Sequence, residues 1–161
     1  VKELKEEEIF NEPFRIFLSP EHPLLKKKAV DEKDLELREA WLLNEGHCLR
    51  TQTLQLCHYK KGPEDRKVFF EAGSMETLIN MVKSTQGFTV LPELTCLALS
   101  AENKTLLRDF KGQTPARQIS FVSGPYSMKT SIQKAMLKVI KKNLPKEVKK
   151  DSPKTEIVSI H

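Results

Sequence analysis

The chain has 161 residues, of which 39% are hydrophobic and 30% charged, and its formal net charge is +5. This composition is typical of a globular protein of one domain or two small lobes, and it excludes disordered, collagen-like and disulfide-scaffold chains. No segment approaches the roughly 18 unbroken apolar residues of a membrane span. The charged start lacks a Met and is not a signal peptide, so we expect a fragment of a longer protein.

The positive charge lies near the end of the chain. Between 138 and 154 there are seven lysines and two acidic residues, so the remainder is neutral. A nucleic-acid-binding domain usually spreads its Lys and Arg over a folded face, so we interpret residues 145–161 as a basic, flexible tail. The three cysteines form no CxxC pair and no secreted disulfide framework, which favours a cytoplasmic protein.

Strand and helix patterns alternate along the chain, which predicts an α/β fold. The predicted strands are at 12–19, 40–43, 68–70, 88–91, 106–110 and 118–123. The predicted helices are at 31–36, 47–59, 75–84, 94–99 and 127–143. Ser74 is the expected N-cap of the helix over 75–84. In the last helix, one face is apolar and carries Ile132, Ala135, Met136, Val139 and Ile140.

The densest chemistry surrounds Cys48, which lies at the predicted first turn of a helix just after Gly46. The positive end of a helix dipole favours thiolate over thiol, and His47 or Arg50 could add to this effect. Gly46 permits close approach of a small polar oxidant. Alternatively, Cys48 is an inert, buried thiol, which is the fate of most free cysteines. Cys96 lies in an apolar segment and is predicted to be a core residue.

Cys57 follows Cys48 by nine residues, inside the same predicted helix. Nine helical residues span about 13.5 Å and place the two sulfurs on opposite faces. A disulfide requires Cα atoms within about 7 Å. If Cys48 and Cys57 ever pair, the helix between them must therefore come apart. Otherwise they are two unrelated thiols.

Other kinds of site are less well supported. His47-Cys48 and Cys57-His58 offer four zinc-ligand types, but the helix separates the two pairs, so we predict no metal site. A cysteine phosphatase loop needs an arginine where this chain has Leu54. No glycine-rich nucleotide loop is present, so we predict no cofactor.

Residues 46–50, Gly-His-Cys-Leu-Arg, followed by Cys57, resemble the redox loop of the peroxide-sensing (OxyR) branch of the LysR-type transcriptional regulators. Residues 74–82 and 87–92 are similar to a helix and a strand of LysR-type effector domains. The resemblance covers about 10–144.

The resemblance implies a periplasmic-binding-protein-like effector domain of two α/β lobes, one complete in this chain and the other partial. Residues 1–10 would cross over from the first lobe, and 11–116 would form the second lobe with the redox helix. Residues 117–144 would return to the first lobe, leaving 145–161 as the tail.

The same resemblance implies a redox-sensing regulatory domain rather than an enzyme. Cys48 would be the peroxidatic cysteine and Cys57 the resolving one, joined reversibly in a disulfide. Gly46 and His47 would border the peroxide, and Arg117 would assist the thiolate and the leaving group.

The implied partners are hydrogen peroxide and a reductant of the glutaredoxin or glutathione type. Regulatory domains would pair into homodimers, full-length chains would form tetramers, and DNA would bind only an N-terminal domain outside this chain. No membrane contact is implied. Two alternatives stay open, a thiol peroxidase and a LysR-type effector domain for a small organic ligand.

Overall fold

A computed structural model of the chain describes residues 4–57, 71–124, 130–149 and 155–158, which form the predicted mixed α/β fold. The strands are β1 (Lys5–Leu18), β2 (Ala29–Val30), β3 (Leu42–Leu43), β4 (Glu71–Ala72), β5 (Phe88–Pro92), β6 (Leu107–Phe110), β7 (Thr114–Ser123) and β8 (Thr155–Ile157). The α-helices are α1 (Cys48–Leu56), α2 (Met75–Ser84), α3 (Glu93–Ala98), α4 (Ala101–Lys104), α5 (Thr130–Asn143) and α6 (Lys146–Lys149). Short 3-10 helices lie at Pro23–Lys26, Glu32–Asp34 and Leu37–Glu39.

The long strand β1 is the centre of the main sheet. Its first part pairs antiparallel with β7, and its second part pairs antiparallel with β5 and β6. The sequence predicts a strand with one buried face, on which Phe14, Ile16 and Leu18 alternate with polar positions. The structure also buries Phe17 completely, because a central strand is covered on both faces.

A second, two-stranded sheet pairs β3 with β4 in parallel. Helix α1 lies in the connection between these two strands, so both ends of the connection are held on one small sheet. The predicted strand at 68–70 lies outside the described residues, and β4 begins at Glu71.

Local signals in the middle of the chain predict the elements well. Helix α2 has the predicted bounds, and the Ser74 hydroxyl accepts the Thr77 N–H at 3.1 Å. Its buried residues, Leu78 and Val82, are one turn apart and face the core. Strand β5 is buried along its whole length and ends at Pro92, one residue beyond its predicted end.

Gly87, just before β5, allows close packing against the segment that leads into β3. Gly87 has φ +130°, and a Cβ on it would lie 2.3 Å from the Glu39 carbonyl oxygen. Because only glycine fits, the Trp41 indole N–H can donate to the Gln86 carbonyl oxygen at 3.2 Å. This contact holds the chain that leads into β3.

Two features near the end of the chain differ from the sequence prediction. The predicted flexible tail instead contains α6, whose Val148 is buried, and β8, which pairs in parallel with β7. Apolar residues among the lysines explain this order. The predicted apolar face of α5 leaves Ile132, Met136 and Val139 about half exposed, while Leu137 is buried.

Candidate redox helix

Cys48 is the first residue of α1, and its side chain is exposed. The preceding residue, His47, is the N-cap, and its side chain makes no capping hydrogen bond. The first backbone N–H groups of a helix have no intrahelical partners and attract anionic atoms. Cys48 therefore lies at a helix N-terminus, as the sequence predicts, and it is exposed rather than buried.

The first turn of α1 is fastened to the small sheet by Arg50. Its Nη1 donates to the Leu43 carbonyl oxygen at 3.2 Å and to Glu71 Oε1 at 2.5 Å. The sequence places Arg50 among the cations that could act on the Cys48 thiol. The structure instead pairs the charge of Arg50 with Glu71. Local sequence patterns do not predict this contact, because β4 is distant from α1 in the sequence.

The inner face of α1 packs into the core. Leu49 and Leu56 are buried hydrophobic residues, and Gln52 and Thr53 are buried polar ones. The Thr53 hydroxyl donates to the Leu49 carbonyl oxygen at 2.8 Å, which satisfies it inside the helix. If α1 unwound, these four residues would lose their buried positions together.

Cys57 is the C-cap of α1 and is buried, so the helix ends one residue before it. Burial, with a smaller contribution from the negative charge of Glu32, raises the pKa of the Cys57 thiol to about 12. Burial and nearby Glu93 likewise raise the pKa of Cys96 to about 12. Both thiols are therefore protonated at neutral pH, and the prediction that Cys96 is a core residue is confirmed.

The two cysteines of the candidate pair lie at opposite ends of α1. The nine residues of this helix separate Cys48 from Cys57 by about 13.5 Å along its axis. One thiol is exposed and the other is in the core. A disulfide between them requires α1 to unwind, because the Cα atoms must approach within about 7 Å.

Arg117 lies in β7 and holds a buried carboxylate. Its Nε and Nη2 contact Glu12 Oε2 at 2.8 and 2.7 Å, and Glu12 is fully buried. Glu12 Oε1 also accepts the Leu94 N–H at 2.9 Å. The described hydrogen bonds of Arg117 thus go to Glu12 rather than to Cys48. Sequence reasoning missed Glu12, which stands at the start of a predicted strand without any local signal of burial.

Strand β7 is nevertheless connected to α1 through the end of the chain. The Val158 N–H donates to the Ala116 carbonyl oxygen at 2.8 Å, next to Arg117. The Val158 carbonyl oxygen accepts Gln52 Nε2 at 3.2 Å. Sequence reasoning did not identify Gln52 or Val158 as part of the site.

Among the described residues, no group of three or more His, Cys, Asp or Glu side chains is placed so that it could hold a metal ion. In the same part of the chain, no helix is long and apolar enough to cross a membrane.

Comparison with known families identifies the fold. The family described as LysR substrate binding domain matches residues 1–144. The chain belongs to this family. One α/β lobe of the LysR-type domain is present, and the other is partial.

Curated relatives of this LysR-type domain include peroxide regulators. The probable hydrogen peroxide-inducible genes activator of Mycobacterium leprae is 33% identical over 132 residues, which are 82% of this chain and 42% of the relative. The hydrogen peroxide-inducible genes activator of Haemophilus influenzae is 34% identical over 119 residues, 74% of this chain and 39% of the relative. The chain thus spans about two fifths of these relatives.

Solved structures similar to this LysR-type domain are named OxyR. OxyR from Porphyromonas gingivalis superposes with a TM-score of 0.83 and 25% identity, covering 99% of this chain and 72% of that one. A reduced form of OxyR has a TM-score of 0.69 and 30% identity, covering 88% and 66% of the two chains.

The exposure of the three thiols predicts a large difference in their reactivity. Iodoacetamide at neutral pH should modify Cys48 at least about tenfold faster than Cys57 or Cys96, because the buried thiols are protonated and shielded. Peptide mass spectrometry at successive times measures the three rates. Denatured protein is the control, in which the rates should converge. Equal rates in the folded protein would contradict the placement of Cys48.

Proposed function

We propose that this LysR-type domain is the redox-sensing regulatory domain of a peroxide-responsive transcription regulator. The observation that carries the proposal is the exposed Cys48 at one end of α1 and the buried Cys57 just beyond the other. Relatives named as hydrogen peroxide-inducible genes activators support it. So does the fold that the domain shares with OxyR.

The proposed chemistry has two steps. The Cys48 thiolate attacks one oxygen of hydrogen peroxide, so that an S–O bond forms, the O–O bond breaks and hydroxide leaves. The Cys57 sulfur then attacks the Cys48 sulfenic acid, an S–S bond forms, and the hydroxide released takes up the Cys57 proton as water. In total, two thiols lose two electrons and two protons, and peroxide becomes two waters. A thiol reductant of the glutaredoxin or glutathione type reverses the oxidation by disulfide exchange.

Other residues have proposed supporting roles in this reaction. Gly46, two residues before Cys48, has a φ of +94° that favours glycine, and its surroundings are open, since a Cβ on it would meet nothing within 4 Å. His47 adjoins Cys48 at the helix N-terminus, where its side chain is exposed and makes no capping hydrogen bond. Arg117 is proposed to assist the departing hydroxide from β7, whose position relative to α1 the Ala116–Val158–Gln52 connection maintains.

The proposal also includes the setting in which the domain acts. The domain would respond stoichiometrically in the cytoplasm rather than turn over as an enzyme. It would pair with a second copy of itself, form tetramers in the full-length regulator, and act on DNA through an N-terminal DNA-binding domain.

Peptide mapping tests the proposal. After about one equivalent of hydrogen peroxide, tryptic peptides should show a Cys48–Cys57 link, with Cys96 still reduced. In Cys57→Ser, a sulfenic-acid probe should label Cys48 instead. Cys96→Ser is the matched control and should form the link normally. Absence of the link in the parent chain would overturn the sensor proposal, and rapid repeated turnover with thiols would favour a peroxidase.

A further inference from the structure

Val158, which follows β8, lies against the helix that joins the two cysteines. Gln52 is the fifth of the nine residues of α1, and its side chain is 3% exposed. Its Nε2 donates to the carbonyl oxygen of Val158, 106 residues away, at 3.2 Å. Within the described residues, Gln52 Oε1 has no hydrogen-bond partner. Among the described residues, the bond to Val158 is therefore the hydrogen bond that holds this buried side chain in place.

Val158 is itself fixed to the main sheet. Its N–H donates to the Ala116 carbonyl oxygen at 2.8 Å, immediately after β8, which pairs with the first residues of β7. Its side chain packs against the hydrophobic core. One residue near the chain end thus connects the middle of α1 to β7 through two backbone groups.

This connection exists only while α1 is helical. The Gln52 side chain reaches Val158 from the inner face of the helix, and joining Cys48 to Cys57 requires the turns between them to unwind. When they unwind, the Val158 carbonyl oxygen loses its partner from α1. The bond therefore stabilises the reduced form, and the disulfide form has no equivalent bond.

We propose that the strand β8 with Val158 is a latch on α1, and that Gln52 is the positioning residue through which it acts. The latch shifts the equilibrium between the dithiol and the disulfide toward the dithiol, and oxidation releases Val158 from α1. The inference rests on the proposed function, because it requires the Cys48–Cys57 disulfide to form.

A redox titration of the full chain tests the latch. The parent chain and Gln52→Met are equilibrated in glutathione buffers, and the fraction of Cys48–Cys57 disulfide is measured by alkylation and mass spectrometry. Met keeps the length of the side chain but cannot donate. The loss of one hydrogen bond from the reduced form should favour the disulfide by about fivefold, a potential more negative by about 20 mV. Thr51→Val, which removes a polar group on the exposed side of α1, is the control and should leave the potential near that of the parent.

A second variant breaks the latch where Val158 bonds to β7. Val158→Pro deletes the N–H that bonds Ala116, and its shift should be non-additive with that of Gln52→Met, since both break one connection. Equal potentials for the parent and Gln52→Met would overturn the latch, provided that the disulfide forms. Failure of the disulfide to form in the parent chain would overturn the proposed function itself.

Discussion

Oxidation by hydrogen peroxide should unwind α1 and make its surroundings sensitive to proteases. The disulfide needs Cα atoms within about 7 Å, and the nine helical residues hold Cys48 and Cys57 farther apart. We expect far-ultraviolet circular dichroism to lose the signal of about nine helical residues, and limited proteolysis to begin between residues 46 and 57. Dithiothreitol should restore both.

Two structural costs of this change fall on the disulfide form. Closing a disulfide loop of this length constrains the unfolded segment by about 3 kcal/mol. Lost packing adds to this cost, because removing a leucine side chain from a core costs about 2–5 kcal/mol and α1 buries Leu49 and Leu56. Oxidation must supply this free energy, so the disulfide is easily reduced again, which suits a reversible switch.

Two cysteine variants separate this unwinding from general oxidative damage. Cys57→Ser should keep its helix and its protease resistance after peroxide treatment, although Cys48 still reacts. Cys96→Ser should behave like the parent chain, because Cys96 lies in the core away from α1. A linked Cys48–Cys57 peptide with unchanged helix content would contradict the expectation.

Replacing Arg117 with alanine should destabilise the whole domain, in addition to any effect on oxidation. Glu12 is fully buried, and Arg117 neutralises its charge through two contacts to Oε2. Removing one partner of a buried ion pair leaves an uncompensated charge and costs about 3 kcal/mol. Urea denaturation of Arg117→Ala should show a loss of that size in the free energy of unfolding.

An exposed ion pair is the matched control. Arg38 contacts Glu36 at 2.6 Å, and both side chains are more than half exposed. Arg38→Ala should therefore lower the free energy of unfolding by no more than about 1 kcal/mol. Combining Glu12→Gln with Arg117→Ala should recover part of the lost stability, since the unpaired charge is gone. An Arg117→Ala chain as stable as the parent would mean that water reaches Glu12. Any effect of this variant on oxidation must be measured under conditions in which it remains folded.

The parts of the fold that follow from local chemistry are the ones that the sequence predicts. Ser74 caps α2 because its hydroxyl reaches the N–H of Thr77, which lies within the same turn. Cys48 falls in the first turn of a helix that starts just after a glycine. These positions need no knowledge of distant residues.

The parts that the sequence does not predict depend on pairing between distant segments. Arg50 meets Glu71 only because β3 and β4 lie side by side, and Gln52 meets Val158 only because β8 joins β7. A tail rich in lysine has no periodicity that indicates a strand, so its order emerges only in the tertiary structure. Buried Glu12 belongs to the same class, since its partner lies 105 residues away.

That separation between Glu12 and Arg117 also determines when the domain can form during synthesis on the ribosome. Translation at about 5–20 residues per second places roughly 5–20 s between the two residues. Throughout that time the central strand β1 has neither its β7 neighbour nor the cation for its acidic side chain. Strands β5 and β6 emerge earlier and can pair with the second part of β1, whereas the first part must wait for β7. Chaperones that recognise exposed apolar strands therefore have the interval before β5 and β6 emerge in which to bind Phe14–Leu18.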